Sequence, residues 1–161
     1  MVSLALFQPE IPANTGALMR LSACLDVPLH IIGPIAFSLD DKSLRRAGMD
    51  YRDKSQTHIH VNYDAFTESL AWNTARLVLM STKATRSYLD FDFCHDDIIM
   101  MGQESAGAPD WLHQRADNRV TIPMAAQARS INMAMSASLA LGEALRQTDS
   151  FPKLPADKGS E

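Results

Sequence analysis

Short runs of consecutive apolar residues alternate along the chain with segments of helical periodicity. The runs predict five strands, at residues 4–7, 29–33, 76–80, 97–101 and 119–123. The periodic segments predict helices at 17–25, from residue 40 or 41 to 47, at 62–70, just after Pro109 and at 130–146. Strands without polar alternation are typical of a sheet buried on both faces. The pattern therefore predicts an α/β fold in which helices flank a parallel sheet.

Composition favours one soluble domain. The chain has 161 residues, of which 46% are hydrophobic and 21% are charged. No apolar run approaches the roughly 18 residues that a membrane span needs, and the N-terminus reads as a strand. Cys24 and Cys94 lie outside any CxxC pattern, which favours reduced thiols in the cytoplasm. We expect a domain at 1–147 and a loose, polar tail at 148–161.

The basic residues are concentrated in one segment. The net charge is −4, which does not by itself indicate a nucleic-acid-binding protein. Five of the 15 basic residues nevertheless lie between residues 42 and 54: Lys42, Arg45, Arg46, Arg52 and Lys54. They form either a solvated helix face with ion pairs to neighbouring aspartates or a patch that contacts phosphates.

Three segments rich in small and polar residues follow predicted strands. They are residues 9–16 with Arg20, residues 102–109, and residues 122–132. Loops at the carboxyl ends of parallel strands line the ligand crevice of an open α/β sheet. The three segments therefore predict one composite site.

Several common site chemistries are disfavoured. Gly102 and Gly107 have P-loop spacing, but no Lys-Ser or Lys-Thr pair follows them, and neither GxGxxG nor GxSxG is present. His58 and His60 have no partner set of metal-ligand residues, so we expect no metal.

Each polar residue in these segments also has a purely structural interpretation. Asn14 suits a helix N-cap, Arg20 a solvent-facing helix position, and Glu104 a carboxylate that caps backbone N–H groups. Together the segments are more specific. Pro-x-Ile-Pro-x-Asn-Thr-Gly-x3-Arg, Gly-x-Glu-x2-Gly-x-Pro, and Ile-Pro-Met with Arg-Ser-x-Asn follow one another in this order. In order and spacing they resemble motifs 1, 2 and 3 of the SPOUT-class RNA 2′-O-ribose methyltransferases. The tRNA (cytidine(34)/uridine(34)-2′-O)-methyltransferases of that class are the most similar, over about residues 3–147.

The resemblance implies a fold and a cofactor. The family fold is a parallel α/β sheet whose C-terminal region forms a deep trefoil knot, and the cofactor is S-adenosylmethionine. By position, six residues are expected to bind it: Met80, Gly102, Ile122, Met124, Ser130 and Ile131.

The resemblance also implies a reaction and its residues. A ribose 2′-hydroxyl displaces a methyl group from a sulfonium, and this hydroxyl is a poor nucleophile until its proton is removed. Arg20 matches the family arginine proposed as the base. A guanidinium is normally protonated, so its role stays open between base and electrostatic organiser. Asn14, Glu104, Ser130 and Asn132 are expected to position the substrate and the loops.

The implied partners are tRNA and a second copy of the chain. The substrate would be the wobble nucleotide in the anticodon stem-loop of leucine tRNAs. Lys42, Arg45 and Arg46 would bind phosphates of this RNA. The expected location is the cytoplasm. Small side chains along the helix at 130–146 suit either tight packing on its own sheet or a homodimer contact. The alternatives are another RNA site, a catalytically silent RNA-binding module, and a small-molecule methyltransferase.

Two departures from the family pattern affect the motifs. The common Pro-Glu-Thr-Arg-Gly is here Gln103-Glu104-Ser105-Ala106-Gly107, which removes one arginine from the RNA contacts. The common Leu-Ser-Asn after Asn132 is here Met133-Ala134-Met135.

Overall fold

A computed structural model describes residues 1–38, 56–70 and 75–154. In these residues the strands are β1 (Ser3–Phe7), β2 (Leu29–Ile32), β3 (Thr57–His60), β4 (Arg76–Met80), β5 (Asp97–Met101) and β6 (Asn118–Val120). The helices are α1 (Pro12–Leu25), α2 (Tyr63–Glu68), α3 (Asp110–Arg115) and α4 (Met133–Gln147), with a 3₁₀ turn at Tyr88–Asp90. The predicted helix that ends at residue 47 lies outside the described residues. None of the described helices is long and apolar enough to cross a membrane.

The strands form one parallel sheet in the order β3-β2-β1-β5-β4-β6. The predicted α/β fold with a parallel sheet is therefore confirmed. Every residue of the central strands β1 and β5 is buried, because helices cover both faces.

Each face of the sheet has its own apolar core. On one face, Leu18 and Met19 of α1 pack with Ala137 and Leu141 of α4. On the other face, Phe66 of α2 and Leu112 of α3 belong to a second cluster. Small residues at Ala137, Ala140 and Ala144 are fully buried, which allows α4 to approach the sheet closely.

The connection between β4 and β5 packs against α4. Phe91 and Phe93 in this connection belong to the same core cluster as Leu141. The Gln147 side chain accepts a hydrogen bond from the Phe93 N–H at 2.8 Å and donates one to the Phe91 carbonyl at 3.0 Å. The C-terminal end of α4 is thus bound to this connection.

Several predicted boundaries were wrong. Strand β3 was not predicted, because His58 and His60 interrupt its apolar character at the edge of the sheet. The fifth predicted strand ends at Val120, and Thr121 instead bridges to Ser87. Helix α4 begins at Met133 because the Asn132 side chain caps it.

Asn14 is not the cap of α1. The helix begins at Pro12, with Ile11 at the N-cap position and without a side-chain cap. Proline suits the first helical position because its ring fixes φ and it lacks an N–H. The Asn14 side chain, which is buried, is therefore available for contacts beyond its own helix.

Three histidines lie together on β2 and β3. His30 pairs with His58 in the β-sheet register, and its Nδ1 lies 3.0 Å from Nε2 of His60. The three rings stack, with Phe66 edge-on against two of them. Burial, followed by the charges that His60 and His58 would carry, lowers the pKa of His30 to about 4. The folded state therefore favours neutral His30.

This cluster predicts a loss of stability in mild acid. The unfolded chain binds a proton at His30 near pH 6.5, whereas the folded chain does so only near pH 4. The protonation of His30 therefore does not reduce the unfolding free energy above pH 6.5, and it reduces it progressively as the pH falls from 6.5 towards 4. Between pH 7 and pH 4.5 we expect His30 to account for about 2 kcal/mol of lost unfolding free energy. Urea denaturation across this range, compared with His30→Gln, measures the difference; parallel pH profiles would contradict it.

Candidate active site

A cavity of about 470 Å³ lies at the carboxyl ends of β4 and β5. It falls within the usual size range for small-molecule and cofactor sites. Met80 and Met101, the last residues of these two strands, form part of its wall. Most of the remainder comes from three loops: residues 8–11 together with the start of α1 (the first loop, through Ile11 and Asn14), residues 102–108 (the second loop) and residues 121–132 (the third loop). Residues 81–83 after β4, His113 on α3, and Met133 and Ser136 on α4 also line it.

The cavity brings together most of the predicted site residues. Those expected to bind the cofactor all line it: Met80, Gly102, Ile122, Met124, Ser130 and Ile131. Asn14, Glu104 and Asn132 line it too. Arg20 does not; it is exposed on α1, about two turns after Asn14. Lys42, Arg45 and Arg46 lie outside the described residues.

Glu104 joins the second loop to the first. Its carboxylate accepts hydrogen bonds from the Glu10 N–H at 2.8 Å and the Ile11 N–H at 3.3 Å. It also accepts one from Asn14 Nδ2 at 3.2 Å. N–H groups at the start of a helix have no partner within the helix, so a carboxylate placed there satisfies them and suits the helix dipole.

Asn14 extends this link to the third loop. Its Oδ1 accepts a hydrogen bond from Asn132 Nδ2 at 2.9 Å. Asn132 Oδ1 in turn accepts from the Ala134 N–H at 2.9 Å and the Met135 N–H at 3.3 Å. One chain of side chains therefore runs from Glu104 through Asn14 to the start of α4, and it joins all three motifs that the sequence singles out.

The second loop is a tight turn that requires glycine. Gln103 and Gly107 exchange two backbone hydrogen bonds, of 3.0 and 2.9 Å, and Gly107 has φ of +69°. A Cβ on Gly102 would lie 2.5 Å from the Gly107 carbonyl carbon and 2.6 Å from the Ala108 nitrogen. Because Gly102 has no side chain, its backbone atoms are accessible from the cavity.

Some residues of the site were not predicted. Glu10 accepts hydrogen bonds from Ser105, and Gln103 Nε2 donates to Gln8 Oε1 at 2.9 Å. The polar run at the end of β1 was a signal for Gln8 and Glu10, but their partners are 95 residues away in sequence. No local pattern identifies such pairs.

Lys83 and His113 also line the cavity without having been predicted. Burial, and then the charges of Lys83 and Arg119, lower the pKa of His113. The ring is therefore neutral at neutral pH. Among the described residues, no group of three or more His, Cys, Asp or Glu side chains is placed to hold a metal ion.

Most of the chain resembles known RNA methyltransferases. The sequence pattern described as the SpoU rRNA Methylase family matches residues 1–142. The chain belongs to this family. The resemblance carried by the three motifs is thereby confirmed, and the chain is a methyltransferase.

Two similar proteins share the name of one tRNA-modifying enzyme. A protein of Beijerinckia indica, named tRNA (cytidine(34)-2′-O)-methyltransferase, is 49% identical over 151 residues, which cover 94% of each chain. A protein of Escherichia coli K12 with the same name is 39% identical and covers 91% of this chain and 94% of its own.

Solved structures of SpoU-type proteins share the fold. One, described as giving structural insights into 2-OH methylation of C/U34 on tRNA, has a TM-score of 0.87 and 37% identity and covers 91% of this chain and 95% of its own. The SpoU methyltransferase AviRb of Streptomyces viridochromogenes, in complex with AdoMet, has a TM-score of 0.81 and 25% identity, and the match covers 91% of this chain and 60% of AviRb.

The glycine turn predicts a specific defect in cofactor binding. In Gly102→Ala the new methyl group would collide with backbone atoms, so the second loop must move. We expect affinity for S-adenosylmethionine, measured by calorimetry, to fall at least about tenfold, which corresponds to about 1.4 kcal/mol.

Gly142→Ala is the matched control. A Cβ at Gly142 meets nothing within 4 Å, and alanine is the better helix former. Unchanged affinity in Gly102→Ala, or an equal loss in the control, would contradict the role of the turn.

Proposed function

We propose that this protein transfers a methyl group from S-adenosylmethionine to the ribose 2′-hydroxyl of nucleotide 34, cytidine or uridine, in the anticodon loop of tRNA. The observation that supports this most is the convergence of all three motifs on one cavity through Glu104, Asn14 and Asn132. The identity of 49% to a named tRNA (cytidine(34)-2′-O)-methyltransferase supports the choice of nucleotide. Leucine tRNAs are the proposed substrates, and the cytoplasm is the proposed location.

The cavity suits S-adenosylmethionine. Its volume fits a ligand of this size, and its wall combines apolar side chains, including Met80, Ile122 and Met124, with open backbone at Gly102. Apolar walls with a few polar groups are typical of cofactor sites. When bound, the cofactor supplies an electrophilic methyl group on its sulfonium.

The polar residues have distinct proposed roles. Asn14 and Asn132 hold each other and fix the start of α4 beside the cavity, so that Ser130 is correctly placed. Arg20 acts on the RNA, either removing the 2′-hydroxyl proton or organising charge around it. Glu104 is occupied by three donors, which favours a positioning role over proton transfer.

The position of Arg20 supports a homodimer. Arg20 is exposed and outside the cavity of its own chain, so a second subunit would complete the site. Met135 and Leu139 on α4 are 65% and 44% exposed, and an isologous contact would cover them. Light scattering at micromolar concentration measures the mass; an active monomer would contradict this arrangement.

The trefoil knot is also part of the proposal. Two observations support it: the β4–β5 connection packs against α4 and bonds Gln147, and the third loop runs beside that connection. The Tyr88 N–H donates to the Thr121 carbonyl, and the Thr121 N–H to the Arg86 carbonyl, both at 2.9 Å. Tracing the chain in an experimental electron-density map tests the threading.

RNA binding is assigned to the basic segment. Lys42, Arg45 and Arg46 would contact phosphates, because an acidic protein needs a local basic patch to hold RNA. The domain would span 1–147, and the predicted tail at 148–161 lies partly outside the described residues. Another 2′-hydroxyl in RNA, or a silent RNA-binding module, is the alternative function.

The target atom is tested with a modified substrate. We expect methylation of an anticodon stem-loop of leucine tRNA and none of the same stem-loop with a 2′-deoxy sugar at position 34, because the accepting oxygen is then missing. Mass mapping of the digested RNA locates the methyl group. Transfer to the deoxy substrate would reject nucleotide 34 as the acceptor, and binding without transfer to either would favour the silent module.

Arg20 is expected to act on the RNA and not on the cofactor. In Arg20→Ala we expect methyl transfer to fall by at least about 100-fold, the low end of general acid–base contributions. Cofactor affinity should stay within about twofold, since Arg20 lies outside the cavity. Single-turnover rates and calorimetry measure the two quantities, and Arg20→Lys shows whether charge alone suffices. An equal collapse of cofactor affinity would contradict this separation.

A further inference from the structure

Two carboxylates at the cavity each bind the loop that carries the other. Glu104, on the second loop, accepts hydrogen bonds from the Glu10 and Ile11 N–H groups. Glu10, on the first loop, accepts from the Ser105 N–H and from the Ser105 hydroxyl, both at 2.8 Å. This reciprocal exchange, made by Glu10, Ile11, Glu104 and Ser105, is called here the carboxylate clasp.

We propose that Glu10 is a positioning residue for methyl transfer, which acts through the carboxylate clasp by setting the second loop against the start of α1. This inference rests on the proposed function, since methyl transfer is the reaction whose geometry it would control. It assigns to Glu10 a role distinct from those of the motif residues Asn14, Glu104 and Asn132.

The two ends of the clasp belong to different parts of the site. Ser105 sits in the turn closed by Gln103 and Gly107, which lines the cofactor cavity. Glu10 lies two residues before Pro12, where α1 begins, and α1 carries Asn14 and Arg20. A shift of Glu10 relative to Ser105 therefore moves the RNA side of the site relative to the cofactor side. Small misplacements of this kind strongly reduce the rate of a displacement reaction.

The negative charges of Glu10 and Glu104 are accommodated only while each carboxylate accepts hydrogen bonds from the opposite loop. Glu10 and Glu104 are neighbouring carboxylates, and each is compensated by N–H donors from the other loop. The hydrogen bonds from Ser105 lower the pKa of Glu10, so that it is ionised at neutral pH. Hydrogen bonds to an ionised acceptor are shorter and stronger than neutral ones.

The departures from the family pattern leave the clasp intact. Ser105 stands where the family often has threonine, so the hydroxyl donor is retained. Gln103 stands where the family often has proline, and its side chain adds the bond to Gln8 between the same two loops. The two loops are thus joined at three successive positions, 103, 104 and 105.

The carboxylate clasp is accessible to solvent. Its exposure allows a role in positioning the loops to be separated from a role in stabilising the fold. Glu10 is partly exposed and Ser105 is exposed. Interactions between exposed polar groups contribute little to global stability. Loss of the clasp is therefore expected to change the catalytic rate much more than the melting temperature.

The test uses graded variants of the full-length protein. Glu10→Gln removes the negative charge and leaves one acceptor oxygen where the Ser105 N–H and hydroxyl now have two. Ser105→Ala removes only the hydroxyl bond, and Ser105→Thr restores a hydroxyl. Glu68→Gln, at an exposed carboxylate on α2 that does not line the cavity, is the matched control.

We expect kcat for methyl transfer to fall at least about tenfold in Glu10→Gln, by a smaller factor in Ser105→Ala, and by less than about twofold in Ser105→Thr and Glu68→Gln. KM for tRNA should change by less than about threefold. Cofactor affinity should weaken several-fold in Glu10→Gln, and the Ser105 amide proton resonance should move upfield as its charged acceptor is lost.

Two outcomes with an active wild-type enzyme overturn the proposal. If Glu10→Gln behaves like Glu68→Gln, the clasp does not position the loops. If kcat is restored when the variant is assayed well below its melting temperature, the role is only structural. Should the wild-type chain fail to methylate the stem-loop, the proposed function fails separately. In that case unchanged cofactor affinity and an unchanged Ser105 resonance in Glu10→Gln would overturn the clasp, and shifts in both would support it.

Discussion

The site depends on the parallel pairing of β1 with β5. Leu6 of β1 lies opposite Met101 of β5, so the chain leaves both strands at the same edge of the sheet. A positive φ of 49° at Gln8 turns the first loop immediately after β1. The first and second loops are therefore adjacent as soon as they begin. Any slip in this register would separate Glu104 from the N–H groups that it accepts from.

Once the loops are adjacent, the need to satisfy buried polar groups decides their arrangement. Asn14 is only 7% exposed, so both ends of its amide require partners. Glu104 accepts from the nitrogen and Asn132 donates to the oxygen. Because Asn132 also caps α4, one amide couples the first helix, the second loop and the last helix. If the Asn14 side chain capped its own helix instead, it would not link Glu104 to Asn132.

The wall of the cavity depends equally on how α4 is held. One face of the helix is buried in the core, and Gln147 near its C-terminal end bonds the β4–β5 connection at Phe91 and Phe93, whose side chains belong to the same core cluster. The small residues of α4 at Ala137, Ala140 and Ala144 permit that packing. Since the third loop leads directly into α4, the positions of Ser130 and Ile131 follow from packing at the far end of the helix. The third loop is therefore supported from outside the cavity.

The sequence by itself determined the parallel α/β class, because continuous apolar runs for β1, β2, β4 and β5 are a local pattern. It also predicted many of the residues that line the candidate cavity, since Asn14, Glu104 and Asn132 sit in recognisable motifs. Tertiary structure alone decided that β3 is a strand. His58 and His60 interrupt the apolar run that would predict a strand, and the segment is extended because it pairs with β2. Tertiary structure alone also decided that Arg20 lies outside the cavity and that Glu10 meets Ser105. The contact between Glu10 and Ser105 joins residues 95 positions apart, and no local periodicity records which distant backbone donors a carboxylate will meet.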